Sequence, residues 1–273
     1  MVTEFEFALA ELSPMANLGL FFWKPEDARE PLRFARDFIP TMAEDLGGFV
    51  AGLNAPPAPF VPAQHQGQVG FAVLIANWAS AEDHAELIAP LRELSPLFEL
   101  VTPIPHAALQ QMFDESAPWG IRAYEKALYL EDLSDDVIDL MLEFLPRKAS
   151  PMTFVPIFAL GGAFGRVPED ETAFGGERTT RWAFNIAAVA PEPDLLTADK
   201  DWVREFWDAL RPHARSSGGY INFLTDEDED RVLASYGAAK FHRLAAIKAT
   251  WDPDNLFHHN ANIRPRISQD ASS

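Results

Sequence analysis

The stretch "AAKFHRLAAIKATWDPDNLFHHNANIRP", Ala238 to Pro265, decides how this chain is to be read. Phe241, Leu244, Ile247 and Trp251 recur at helical spacing, which predicts a helix with these four side chains on its inner stripe. Pro253 stops that helix, because proline has no amide hydrogen and its ring collides with the preceding turn. Asp254 and Asn255 then favour a turn, and the rest reads as an extended tail carrying Asn260 and Asn262. His258 and His259 are neighbours, and neighbouring side chains on an extended backbone point apart, so their spacing does not suggest a shared metal.

Upstream of the helix, "GGYINFL" (Gly218 to Leu224) alternates, with Tyr220 and Asn222 on one face, and predicts the last strand. That polar face suits a solvent boundary as well as a site. "RWAFNIAAVA" (Arg181 to Ala190) predicts another strand, with Asn185 as a lone amide among apolar residues. A buried amide without a partner costs about 1 to 3 kcal/mol, so Asn185 must be hydrogen-bonded to something.

Strand and helix signals continue toward the N-terminus. Thr197 is read as opening a helix whose Trp202, Val203, Phe206, Trp207 and Leu210 face inward, and "MTFVPIFALGGA" as a strand in which Pro156 favours an edge or a bulge. Ser134 caps a helix with an apolar stripe from Val137 to Leu145, and Ser80 with Asp83 caps another. "GIRAYEKALYL", "LFELVTPI", "GQVGFAVLIANW" and "LGLFFW" read as strands, as does the opening segment, where Phe5, Phe7 and Leu9 alternate with Glu4 and Glu6. Seven or so strands mixed with long helices, without strict one-to-one alternation, predict an α+β fold with a mainly antiparallel sheet covered by helices. No break in composition divides residues 1–273 into two domains.

Composition narrows the function. The chain has 273 residues, 48% of them apolar, which supplies a folded core. Its net charge of -19 repels phosphate backbones and anionic lipid, so nucleic acid and membrane surfaces are poor partners. It has no cysteine, hence no disulfide, thiolate site or thiol nucleophile. There is no basic leader followed by an apolar run, nor an unbroken apolar stretch able to span a bilayer, so a cytoplasmic protein is expected. None of the seven histidines is spaced to share a metal, no nucleophile elbow is present, and the glycine doublets are isolated. By itself the chain displays no complete catalytic constellation.

The C-terminal pattern resembles the signature that ends the berberine-bridge-enzyme-like branch of FAD-linked oxidases, a D-P-x-N-x-F turn followed by an N-x-N-I-x-P tail. The matching residues are Asp252, Pro253, Asn255, Phe257, Asn260, Asn262, Ile263 and Pro265, within a motif of about 218–266. "GGYINFLTDEDEDRVLASYG", "RWAFNIAAVAPEP" and "VTEFEFALAELSPM" are similar to family segments more loosely, whereas "FGGER" (Phe174 to Arg178) departs from the Phe-Pro-His-Arg turn of many relatives.

The resemblance implies the substrate domain of an FAD-dependent oxidoreductase that passes hydride from a small organic substrate to flavin. In the family a separate N-terminal domain holds FAD, so the flavin half is expected on another chain or to be lost. It further implies Tyr220 as catalytic base, Asn185 and Asn222 as substrate-binding, Asn260 and Asn262 as cofactor-binding, and no metal. The alternative expectation is a non-catalytic small-molecule-binding or assembly module, or an inactive remnant, whose uncovered surface would favour a homo-oligomer.

Overall fold

The fold is taken from a computed structural model, which describes residues 3–9, 11–116, 118–176, 178–179, 181–214, 218–223, 229–259 and 261–266. Alternating apolar residues build seven strands: β1 (Met15–Trp23), β2 (Gly47–Asn54), β3 (Val69–Asn77), β4 (Phe98–Pro105), β5 (Arg122–Leu130), β6 (Val155–Ala159) and β7 (Trp182–Ala190). They form one sheet in the order β4-β1-β3-β2-β6-β7-β5. Every neighbouring pair is antiparallel, as expected.

The helices are α1 (Arg29–Phe38), α2 (Ala81–Glu93), α3 (His106–Gln110), α4 (Asp135–Phe144), α5 (Gly162–Arg166), α6 (Pro193–Leu210), α7 (Glu229–Tyr236) and α8 (Ala238–Trp251). Ser80 and Asp83 close a reciprocal capping box on α2, and the Ser134 hydroxyl accepts from the Val137 amide at the start of α4.

Because side chains alternate along a strand, the sheet has two unlike faces. On one face Phe21, Phe71, Ile157, Phe184 and Leu128 meet α1, α2, α4 and α6 through Leu32, Ile88, Met141 and Phe206. Phe206 stacks on Phe144 at 4.7 Å and meets Phe184 edge-on at 5.8 Å. On the other face, Leu18, Phe22, Ala72 and Leu74 are covered by the Pro-rich loop, through Ala55 and Val61, and by Phe98.

Within the helix-covered side lies a polar tie. Asp199 on α6, fully buried, accepts from the Ala149 amide at 2.6 Å, the Ser150 amide at 3.0 Å and the Thr153 hydroxyl at 2.5 Å. It thereby fixes the turn that feeds β6.

Several expectations change. Phe5, Phe7 and Leu9 form no strand and are exposed, so the alternation at the N-terminus has no sheet to join among the described residues. β2, whose Gly-rich start and proline-rich continuation masked it, was not expected. Pro156 sits on the interior strand β6, not at an edge, and β6–β7 pairing lapses at Val155 and Pro156, where proline has no amide to give. The helix assigned to Thr197 begins at Pro193, whose carbonyl accepts the Thr197 hydroxyl. The last expected strand is instead a 3-10 turn over Ile221–Phe223, and Leu224 lies outside the described residues.

His84 on α2 is buried, and among the described residues neither ring nitrogen finds a well-aligned hydrogen bond. Burial lowers its pKa, with Arg92 adding in the same direction and the nearby Leu18 backbone opposing. The unfolded chain therefore takes up a proton near the ordinary value of 6.5 that the folded chain resists. Stability is expected to fall as pH drops through that value, and His84→Leu to flatten this loss in thermal melts at pH 7.5 and 5.5, values spanning roughly one pH unit either side.

Candidate functional site

On the half of the sheet formed by β2, β6, β7 and β5, the face away from the helix layer carries Phe49, Phe158, Asn185, Glu125, Ala127 and Tyr129. Strand parity puts them there, since Val50, Ile157, Phe184 and Leu128 occupy the opposite side. A row of aromatic rings crosses this region. Phe113 meets Phe49 at 5.8 Å, Phe49 meets Phe158 at 5.6 Å, and Phe158 meets Phe223 at 6.4 Å. Phe223 meets Tyr220 at 4.9 Å, Tyr220 meets Phe174 at 5.9 Å, and Phe174 meets Phe164 at 5.0 Å, with the Arg178 guanidinium over the last two rings.

Glycines bring the Tyr220 segment against the sheet. A Cβ on Gly219 would stand 2.5 Å from the Ala127 carbonyl oxygen, and one on Gly218 would stand 2.6 Å from that of Ala234, so neither position has room for a side chain. In the 3-10 turn that follows, Asn222 Nδ2 donates to Tyr220 Oη at 2.9 Å. The two residues expected on one strand face are thus brought together by a tighter turn. Tyr129 lies under the Gly175–Gly176 turn, where burial raises its pKa and Tyr220 adds to the rise. Tyr129 stays protonated, and Tyr220 is the more open of the two phenols.

Asn185, 3% exposed, donates its amide to Glu125 Oε2 at 2.9 Å, which satisfies half of the expected need. Its Oδ1 has no partner among the described residues.

In the C-terminal segment, Asp252 explains the turn motif. Its carboxylate accepts from the Leu256 amide at 2.7 Å and the Phe257 amide at 3.1 Å, and pairs with Lys248 at 2.7 Å. Lys248 also donates to the Phe257 carbonyl, and Asn255 takes the left-handed backbone that closes the turn. The Lys248 hydrogen bond holds the Asp252 carboxyl below its ordinary range, helped by the two amides. This tie is lost as pH falls through that depressed value. Asp252→Ala is expected to loosen the tail, read as faster proteolytic cleavage after Trp251 with the core transition unchanged.

Phe241 and Ala245 are the buried residues of α8, whereas Ile247 and Trp251 are exposed, contrary to the expected stripe. They line, with Leu244, Phe257 and Ile263, a groove of about 410 Å³ between helix and tail. The rings of His258 and His259 do not point apart but lie 4.8 Å from each other. Asn262 Oδ1 is buried without a partner among the described residues, and Asn260 lies outside them. Neither this groove nor the smaller cavity beside Tyr129 and Tyr236 is lined by Tyr220, Asn185, Asn222 or Asn262. No group of three or more metal-ligating side chains converges among the described residues.

Residues 219–264 match the family model described as berberine and berberine like. An FAD-linked oxidoreductase of Dictyostelium discoideum is 22% identical over 268 residues, 97% of this chain and 55% of that protein. The chain is similar to the berberine-bridge-like FAD-linked oxidoreductases. Its fold is that of their structures: BBE-like 28 from Arabidopsis thaliana superposes with TM-score 0.75 at 14% identity over 94% of this chain and 58% of that one. 6-Hydroxy-D-nicotine oxidase from Arthrobacter nicotinovorans gives 0.72 at 18% over 94% and 56%. The chain therefore spans a little over half the length of these relatives.

Within the berberine-like segment fall Tyr220, Asn222 and Asn262; Asn185 lies outside it, on β7. Sequence reasoning missed Glu125, Tyr129 and the aromatic row. Parity along "RAYEKALYL" places Glu125 and Tyr129 on one face, but only the β5–β7 register sets that face beside Asn185.

Proposed function

We propose that this chain is the substrate-side portion of an FAD-linked oxidoreductase, oxidising a small organic molecule, with the flavin held largely by polypeptide beyond these 273 residues. The observation that carries the reading is the Tyr220–Asn222 pair, in a segment matching the berberine-like model, set over a sheet face that also bears Asn185.

The residues present suit a flavin. Among the described residues two buried amide oxygens, Asn185 Oδ1 and Asn262 Oδ1, have no donor, and the row of flat rings suits a planar ring system or its substrate. Asn262, with Asn260, would hold the cofactor, which supplies the hydride acceptor. Tyr220 removes the substrate proton at its phenolic oxygen. The base role requires the phenolate, whose oxygen would keep the N–H that Asn222 donates to Oη. Asn185 orients substrate on the sheet, and the aromatic row excludes water.

Co-expression with a complementary flavin-holding polypeptide tests this. A yellow complex is expected from a chain that is colourless alone; no flavin uptake by the pair would contradict the reading. The exposed groove at Ile247, Trp251 and Phe257 favours a second reading, an assembly module that docks a partner or a second copy without flavin. That reading predicts a stable complex without visible absorbance. No helix among the described residues is long and apolar enough to cross a membrane.

A further inference from the structure

We propose that Arg178 is the anion anchor of the site beside Tyr220, selecting a small substrate that carries a carboxylate on a flat apolar body. This rests on the oxidoreductase reading and names the substrate class for the same site. Arg178 is 8% exposed, and its guanidinium lies over the rings of Phe164 at 5.0 Å and Phe174 at 5.1 Å. Phe174 in turn stacks on Tyr220 at 5.9 Å, so a single ring lies between the charge and the phenol.

A guanidinium keeps its charge, and a buried charge costs free energy unless an opposite one meets it. Nη1 donates to the Phe164 carbonyl at 3.0 Å and Nη2 to the Thr172 hydroxyl at 2.6 Å, both neutral acceptors, while the buried Nε has no acceptor among the described residues. Glu169 is close, but it accepts from the Arg178 backbone amide with one oxygen and faces Lys240 at 3.8 Å with the other. Asp170 and Glu171 are exposed, and among the described residues neither pairs with the guanidinium. With Lys240 set against Glu169, the charge of Arg178 is left over. A carboxylate takes Nε–H and a neighbouring Nη–H together in a two-pronged bond, and its flat body then lies along the Phe174 ring toward Tyr220. Thr172, which borders the guanidinium, is exposed, so the anchor stands one side chain from solvent. Cationic head groups meet repulsion there.

Benzoate, benzamide and benzylamine share one ring and differ in head-group charge. In calorimetric titrations of the full chain at fixed ionic strength, benzoate is expected to bind at least about tenfold tighter than benzamide, with benzylamine weakest. Arg178→Gln is expected to abolish that ranking, and Arg178→Lys, which keeps the charge without the fork, to retain the order with a smaller ratio. Equal binding of benzoate and benzamide by the unaltered chain, no binding of benzoate, or an Arg178→Gln protein that keeps the preference overturns the assignment. The unaltered chain's ranking decides even where a variant fails to fold. Flavin uptake with the complementary polypeptide, followed on the same preparations, separates the two ideas. A flavin-loaded protein indifferent to head-group charge overturns this assignment alone, whereas charge ranking without flavin uptake overturns the oxidoreductase reading beneath it.

Discussion

Tyr220→Phe lowers turnover of the flavin-loaded protein by about 10²- to 10⁴-fold, the usual worth of a positioned general base. The substitution deletes one oxygen. The ring keeps its contacts with Phe174 at 5.9 Å and Phe223 at 4.9 Å, and the glycines that set the segment on the sheet are untouched. Flavin binding and the melting temperature therefore stay where they were, and the loss appears in kcat with KM little changed. Asn222→Leu acts in the same direction with a smaller effect, because it removes only the N–H that steadies charge on Oη. Rapid-mixing single turnovers measure both; a Tyr220→Phe enzyme as fast as the parent would remove Tyr220 from the mechanism.

The largest loss of stability is expected from a residue far from that site. Asp199→Ala withdraws the acceptor for the Ala149 and Ser150 amides and the Thr153 hydroxyl, of which the last two belong to buried residues while Ala149 is exposed. Each orphaned donor costs about 1 to 3 kcal/mol, and partial relaxation brings the total to roughly 3 to 5 kcal/mol. The turn they occupy leads into β6, the strand joining both halves of the sheet, so the loss is global. Urea unfolding measures it; a shift below about 1 kcal/mol would mean that water enters and replaces the carboxylate.

The contrast between these two residues bears on what a sequence reveals. The closeness of Tyr220 and Asn222 was legible from their i,i+2 spacing, although a strand face was expected and a 3-10 turn with an Asn222–Tyr220 hydrogen bond is what joins them. Asp199 was not, since "TADKDW" reads as the solvent face of a helix, and only the Ala149–Thr153 turn, about fifty residues earlier, turns that carboxylate into a buried cap. The antiparallel sheet and the caps at Ser80 and Ser134 followed from periodicity and local hydrogen bonding. β2 escaped because its glycines dilute the apolar signal and its pairing with β3 and β6 is non-local. The N-terminal alternation misled for the opposite reason: period two states what a segment suits, while burial depends on a sheet being there to receive it. Likewise Ile247 and Trp251 have helical spacing without an inner surface to meet.

Amide hydrogen exchange gives the most direct test of the central claim, that the sheet face beneath Tyr220 and the tail bearing Asn262 both look onto flavin. Measured with and without a flavin-holding partner polypeptide, exchange is predicted to slow in residues 218–223 and 255–264 and along β7 around Asn185, with α1, α4 and α6 unchanged. Protection confined to the helix-covered side, or none at all on flavin binding, would contradict it.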